Sequence, residues 1–386
     1  MPDRPPSVAV LYASVGGGHG RAAQAVAAAL REMRPGARID VIDVLAHTNR
    51  AFRHFYGRAY FQVYAKAPHL IGYLYDWLDR PPTSDNPLGD RFRRILQRAN
   101  LSSFYDRLRS ESWDAIINTH FLPAEIVAGL RRQGILRTPQ ATVVTDFDAH
   151  RLWVQSPTDR YFVASAEARA TLRHWGVPAA RVDVTGIPID PVFSVPLSKE
   201  AARRRLGLDL GRRTVLQLAG GLGVGPVETV FRALLDIQQP LSLVVAAGTN
   251  DAAVRALGRV PAPPRHRVRV LKFRTDIDQW MAAADLVISK PGGLTSAECL
   301  ARGVPLAIVH PIPGQESRNS DFLLEAGAAI KINTLPTLPH KLAHHLFNSP
   351  RLAAMSQKAL HAARPRAAFE VARRTFDMIQ KPVSSR

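Results

Sequence analysis

The sequence predicts two α/β lobes, each a parallel β-sheet covered by helices on both faces. Three observations carry that prediction. Short β-branched runs bounded by turn residues alternate with helical patterns along the chain, as they do where strands are buried on both sides. Two glycine-rich turns, Ser14–Gly20 and Ala219–Gly225, each follow an apolar strand-like run and lead into a helical pattern. The length, 386 residues, fits about two domains at roughly 150 to 200 residues each.

In the first lobe the strands are expected at Val8–Ala13, Ile39–Val44, Ala115–Asn118, Ala141–Thr145, Tyr161–Ala164 and Val182–Thr185. In the second they are expected at Val215–Leu218, Leu241–Ala246, Val268–Leu271, Leu286–Ser289, Leu306–Val309 and Ala329–Ile332. The segment from Gly186 to Pro196 holds Pro188, Pro191 and Pro196 and loses all periodicity, so the linker is placed there. A helix over Lys199–Leu206 would open the second lobe, and Arg351–Ile379 reads as one or two terminal helices. The expected division is residues 1–193, 194–350 and a helical tail 351–386, a candidate to pack back on the first lobe.

Composition narrows the class. Lys and Arg number 51 against 32 Asp and Glu, a formal net charge of +19. That excess attracts polyanions: nucleic acid, anionic lipid surfaces or phosphorylated substrates, without choosing among them. The single cysteine, Cys299, excludes an internal disulfide, reads as a small buried hydrophobe, and suits a reducing compartment. No apolar run reaches the roughly 18 to 20 residues needed to cross a bilayer. The stretch Met1–Ser7 is polar and proline-rich, unlike a secretory signal. A soluble or peripheral chain is expected.

The first glycine turn ends Gly20-Arg21-Ala22, without the Lys-Ser/Thr of a nucleoside-triphosphate loop. Gly18-x-Gly20-x-x-Ala23 loosely satisfies the dinucleotide pattern, with Asp43 closing the second strand where a ribose carboxylate would stand. A dinucleotide-dependent oxidoreductase is therefore one reading. Another starts from His19, a titratable side chain inside the turn at a helix N-terminus. The dipole there favours neutral imidazole, the form a general base needs. A purely structural histidine is the plain alternative.

In the second lobe Ser289-Lys-Pro-Gly-Gly-Leu-Thr-Ser-Ala-Glu298 reads as strand, turn and helix start. Thr295-x-x-Glu298 fits a capping box. Alternatively Gly292, Gly293 and the amides of Leu294 and Thr295 hold a diphosphate, with Glu298 accepting ribose hydroxyls; Glu298 could not easily do both. A third patch, Pro311–Ser320, sets Gln315, Glu316 and Asn319 just after a strand, where open α/β sheets bind ligands and where polyhydroxylated molecules would find paired donors and acceptors. A solvated loop is the alternative.

From Phe52 to Leu78 nine aromatics, among them Phe52, Tyr60, Phe61 and Trp77, interleave with Arg53, Arg58 and Lys66, followed by Arg91, Arg93, Arg94 and Arg98. Aromatics with cations suit the headgroup boundary of an anionic bilayer. They equally suit a helix with one buried face, and in principle single-stranded nucleic acid, although a nucleic-acid module would leave the glycine turns unexplained.

Taken together and in order, the glycine–His turn, Ala219-Gly-Gly-Leu-Gly-Val-Gly225, Lys290-Pro-Gly-Gly-Leu-Thr-x-x-Glu298 and Pro313-Gly-Gln-Glu-x-x-Asn319 resemble monogalactosyldiacylglycerol synthases and bacterial diacylglycerol glucosyltransferases. These are inverting glycosyltransferases of the GT-B fold, two Rossmann-like lobes facing a cleft, related to the lipid II-forming transferase. The resemblance covers nearly the whole chain and is strongest from Val268 to Ala328. It implies that His19 is the general base and that Gly16, Gly17 and Gly18 line the acceptor side. Gly221 and Gly223 would border the donor diphosphate, and the backbone of Phe273 would recognise uracil. Gly292, Gly293, Leu294 and Thr295 would hold the diphosphate with Lys290 nearby, Glu298 the ribose, and Gln315 with Glu316 and Asn319 the sugar. Thr145-Asp146-Phe147 with His150 and Trp153 is similar to a family segment facing the cleft, which makes Asp146 a second candidate for base or acceptor positioning. One departure is that Gly20 follows His19 where the plant enzymes run directly into an Arg-containing helix.

The implied activity is inverting transfer of a hexose from a UDP-sugar to a lipid hydroxyl, diacylglycerol first, on an anionic membrane surface at the inner face of the cell membrane. A polyprenyl-linked or other hydrophobic acceptor, or a nucleotide-sugar epimerase of the same fold, is the alternative, and glucose and galactose donors are left open. No nucleic-acid partner and no metal cofactor are expected: helix N-termini can stabilise a diphosphate leaving group. Asp146-Phe147-Asp148 matches Asp-x-Asp literally, but the donor-side turns lie in the other lobe.

Overall fold

A computed structural model describes residues 4–48, 100–220 and 226–380. The aromatic and basic segment from Phe52 to Arg98, and Gly221 and Gly223, lie outside the described residues. The chain divides into two units. The first comprises Met1–Pro191, Pro313–Gln315 and Arg366–Arg386; the second comprises Val192–Ile312 and Glu316–Pro365.

Among the described residues the first unit is built on six parallel strands: β1 (Ser7–Tyr12), β2 (Arg38–Asp43), β3 (Ala115–Asn118), β4 (Gln140–Val143), β5 (Arg160–Val163) and β6 (Val182–Val184). Their order is β2-β1-β3-β4-β5-β6. Side chains alternate across β1, so Val8 and Val10 face one layer while Ala9 and Leu11 face the other. Both layers are apolar because helices cover both: α1 (Gly18–Met33), α2 (Ser102–Ser110), α3 (Phe121–Arg132) and α4 (Ala166–His174). Strand order reverses between β1 and β3. Loops leaving the two strands there diverge, which opens the crevice in which α/β sheets bind ligands.

The second unit repeats the architecture with β7 (Arg213–Leu218), β8 (Leu241–Ala246), β9 (Arg267–Leu271), β10 (Leu286–Ser289), β11 (Leu306–Val309) and β12 (Ala329–Ile332), ordered β12-β11-β10-β7-β8-β9. Its reversal lies between β7 and β10. The described helices are α5 (Lys199–Leu206), α6 (Val227–Leu235), α7 (Asp251–Gly258), α8 (Ile277–Ala283), α9 (Gly293–Ala301), α10 (Gln315–Glu325), α11 (Leu338–Leu346) and α12 (Ser349–Ala362). Ser198 caps α5 by accepting from Ala201 N, and Gly207 ends it at φ 60°. Gly303 and Gly327, at φ 62° and 66°, let α12 come close: a Cβ at either position would stand 2.7 Å from Leu360 or Lys358. Cys299 is buried in α9, and burial pushes its thiol well above the ordinary range.

At the base of this second sheet a single buried carboxylate gathers three cations. Asp285, 1% exposed, meets Lys199 at 2.8 Å, Arg213 at 3.2 Å and Arg203, and accepts from Thr214 N at 2.8 Å. Burial alone would raise its pKa, but Lys199, the Thr214 amide and Arg203 together bring it below the ordinary carboxylate value. The cluster ties α5 to the starts of β7 and β10.

After α12 the chain returns to the first unit as α13 (Ala367–Gln380). Ala368, Val371, Ala372, Phe376 and Met378 share one core with Val8, Val10, Val26 and Leu30. Each fully buried Val, Leu or Phe there contributes roughly 1.5–3 kcal/mol.

Candidate active site

The first glycine turn sits at the strand-order reversal of its sheet. Gly16 takes φ 73°, which explains glycine there. Gly17 caps α1, no side chain caps that helix end, and its first N–H groups are left for an anionic or polar ligand. Gly20 serves packing, since a Cβ would lie 3.2 Å from the Tyr12 ring. Asp43 accepts from Ser14 N and Leu45 N, both at 3.1 Å. One oxygen of the carboxylate that a dinucleotide reading needs for ribose is thus engaged in pinning the turn and capping the following 3-10 turn.

Two loops converge on His19. From the β3–α3 loop, the Thr119 carbonyl lies 2.8 Å from His19 Nδ1 and the Thr119 hydroxyl donates to the His19 carbonyl at 2.9 Å. From the loop after β4, Thr145 Oγ1 lies 3.1 Å from the same Nδ1. A carbonyl only accepts, so Nδ1 carries the proton and Nε2 keeps the lone pair. The His120 ring stands edge-on to His19 with centroids 4.5 Å apart, and Trp153 lies at 6.1 Å. Desolvation lowers the His19 pKa to about 4 against the opposing Thr119 hydrogen bond. Burial, with His19 beside it, also holds His120 well below the ordinary histidine range. The product is a neutral imidazole with its basic nitrogen defined.

Other expected acceptor-side residues serve more than one purpose. His150 Nδ1 accepts from Leu152 N at 3.1 Å and caps the turn holding Trp153; both side chains are buried. Asp146 is part-buried in the same loop. Asp148 accepts from Ala149 N at 2.8 Å and from Thr171 at 3.3 Å, so this half of the literal Asp-x-Asp is a local clasp. Among the described residues no group of three or more His, Cys, Asp or Glu stands ready to hold a metal.

In the second unit α9 begins at Gly292, its N-cap, with no side-chain cap. The capping-box reading of Thr295 and Glu298 therefore fails: Thr295 already lies inside the helix, one turn too late to cap it. Gly293, Leu294 and Thr295 instead present their N–H groups at an open helix end, and a Cβ on Gly292 would meet nothing within 4 Å. Glu298 is buried, 1% exposed. Beside this end, at the β7/β10 reversal, a cavity is lined by Gln217, Ala219, Val227, Ile288, Lys290 and His310 among others. Lys290 Nζ stands 4.0 Å from Glu316, whose other oxygen accepts from Ile312 N at 2.8 Å. Asn319 is fully buried in α10, while Gln315, part-buried at the first position of that helix, groups with the first unit. Phe273 is 59% exposed in the loop after β9.

Sequence reasoning missed Thr119, His120, Gln217 and His310. A polar run, Asn118-Thr119-His120, at the C-terminal end of an apolar strand was a usable signal for the first two. His310 holds φ 46° at the end of β11, a conformation uncommon outside glycine and invisible in sequence.

Residues 19–189 match the family model for monogalactosyldiacylglycerol (MGDG) synthase, and residues 230–371 match the glycosyltransferase family 28 C-terminal domain. The chain is 31% identical over 269 residues to a processive diacylglycerol beta-glucosyltransferase of Bacillus pumilus, covering 67% of this chain and 70% of that one. The chain belongs to the family of MGDG synthases and diacylglycerol glucosyltransferases. Its two-sheet architecture is shared with MurG of Acinetobacter baumannii at a TM-score of 0.63 and 20% identity, covering 97% of this chain and 100% of that one. Anabaena HepE, solved with UDP-glucose, is similar at a TM-score of 0.55 and 14% identity over 96% of this chain and 99% of that chain. This glycosyltransferase has the GT-B fold. The MGDG-synthase match begins at His19, the residue on which the loops after β3 and β4 converge.

Proposed function

We propose that this glycosyltransferase moves a hexose from a UDP-sugar to the free hydroxyl of diacylglycerol with inversion at the anomeric carbon. The observation that carries the reading is the 2.8 Å contact of His19 Nδ1 with the Thr119 carbonyl, which takes the Nδ1 proton and leaves Nε2 as the basic nitrogen. Nε2 takes the acceptor hydroxyl proton as that oxygen forms a bond to the anomeric carbon. The bond from that carbon to the UDP oxygen breaks, and the electron pair leaves with UDP. In the second unit the open N-terminus of α9 and the Lys290 ammonium stabilise the leaving diphosphate, so the proposal includes no resident metal. The acceptor is assigned from the diacylglycerol named for the Bacillus pumilus relative, and the donor from the UDP-glucose named for the Anabaena structure. A peripheral position on an anionic membrane surface at the inner face of the cell membrane fits the net charge of +19; among the described residues no helix is long and apolar enough to cross a membrane.

The test is UDP release from UDP-glucose and from UDP-galactose, with and without diacylglycerol in anionic liposomes, with the lipid product followed. Release that requires the lipid and yields a glycosylated diacylglycerol from one donor supports the proposal and names the sugar. UDP binding with no lipid product would overturn the acceptor assignment and direct attention to a polyprenyl-linked acceptor or an epimerase reaction.

Glu298 is assigned to the ribose. Glu298→Ala is expected to weaken UDP binding by roughly 10- to 100-fold, the range for losing a charged hydrogen bond, as measured by calorimetry on folded protein. Unchanged affinity would remove Glu298 from the donor site.

A further inference from the structure

We infer that Thr145 is a positioning residue for His19, an inference that rests on His19 being the base. Its hydroxyl lies 3.1 Å from His19 Nδ1, and its side chain is nearly inaccessible to solvent, 4% exposed. The Thr119 carbonyl already claims the Nδ1 proton at 2.8 Å, so the Thr145 oxygen is a second acceptor for that proton. The two oxygens reach the ring from different loops, one after β3 and one after β4, and between them fix its plane. The ring turns only about its Cα–Cβ and Cβ–Cγ bonds, and acceptors from two separate loops restrain that turning more than one acceptor does.

The arrangement also matters when the base works. Once Nε2 takes a proton the ring is an imidazolium, and both contacts at Nδ1 become charge-assisted hydrogen bonds, shorter and about twice as strong as neutral ones. Here two neutral oxygens stand where other enzymes place a carboxylate. The base is oriented and its charged form supported without a permanent negative charge that would raise its affinity for protons at rest. His120, locked by accepting from Leu122 N at 3.0 Å, packs against the ring and limits its movement on the remaining side.

The experiment compares Thr145→Val, which keeps the shape and removes the oxygen, with Thr145→Ser, which keeps the oxygen. Thr145→Val is expected to lower kcat roughly 10- to 100-fold, the range for losing an orienting partner, with KM for the UDP-sugar within about twofold of the parent. Thr145→Ser should recover most of the rate. Equal loss in both variants, a loss confined to KM, or a kcat for Thr145→Val within about twofold of the parent would overturn the inference. Nitrogen-15 spectra of the unmodified protein give an independent arm that holds even if a Thr145 variant does not fold. His19, assigned by the signal lost in His19→Asn, is expected as the Nδ1-protonated tautomer at neutral pH, and the Nε2-protonated tautomer would overturn the inference. Full turnover in His19→Ala would instead sink the base reading itself, so the two failures are distinguishable.

Discussion

Replacing His19 with alanine is expected to lower kcat by ~10²–10⁴-fold, the usual worth of a positioned general base, while UDP affinity stays unchanged. The split follows from location: His19 belongs to the first unit, whereas the proposed donor-holding residues Lys290, Gly293, Leu294 and Glu298 belong to the second. The pH profile carries a second signature. An ordinary histidine titrates near 6.5, but desolvation brings His19 to about 4. Protonated imidazole cannot accept the hydroxyl proton, so the rate should fall only as pH drops through about 4, and should be flat on this group's account from pH 5 to 8. An acid limb near 6.5 would mean that the imidazole is solvated. Retained turnover in His19→Ala, with a large loss in Asp146→Ala, would transfer the role to Asp146.

Asp285→Asn is expected to destabilise the second unit by roughly 3–5 kcal/mol, the cost of breaking a buried ion pair from one side. For a unit of this size that is a fall in Tm of roughly 10 °C. The substitution leaves Arg203, nearly as buried as Asp285, without its countercharge, and Lys199 and Arg213 lose theirs. The folded-state pKa of Asp285 lies below its unfolded value. Its contribution is therefore complete above about pH 4 and disappears as pH falls through the folded-state value. Unfolding curves of parent and variant should converge in acid and differ most near neutrality. A constant gap from pH 7 to pH 2 would show that shape, and not charge, holds that corner together.

The inner strands were legible because parallel strands buried on both faces leave apolar runs, and the edge strands β2, β6, β9 and β12, only partly buried, because apolar and polar residues alternate along them. Ala115–Asn118, Leu241–Ala246, Leu286–Ser289, Leu306–Val309 and Ala329–Ile332 occur with the bounds expected, and the others shift by a residue or two at their ends. The first glycine turn was legible because backbone geometry selects glycine directly, as at Gly16. What escaped was tertiary. No local pattern tells that Thr119 and Thr145, 26 positions apart, meet at one nitrogen, because the strand order β1-β3-β4 brings their loops together. Thr295 and Glu298 looked like a capping pair because spacing alone cannot tell the cap position from the first turn; only Gly292 at φ −64°, ψ 143° fixes the register. Gln315, Glu316 and Asn319 read as a ligand-binding loop, whereas they open a helix, and that helix turns Asn319 inward.

Because α13 belongs to the core around Val8, Val10 and Leu30, the first unit needs residues that the ribosome supplies after every residue of the second. Synthesis runs at about 5–20 residues per second, so the lobe begun first is finished last. The second unit, complete at Pro365, has all its residues before the last segment of the first unit has been made. Until then the apolar flank of α1 that α13 will cover is open, and the nascent chain holds half a core in waiting.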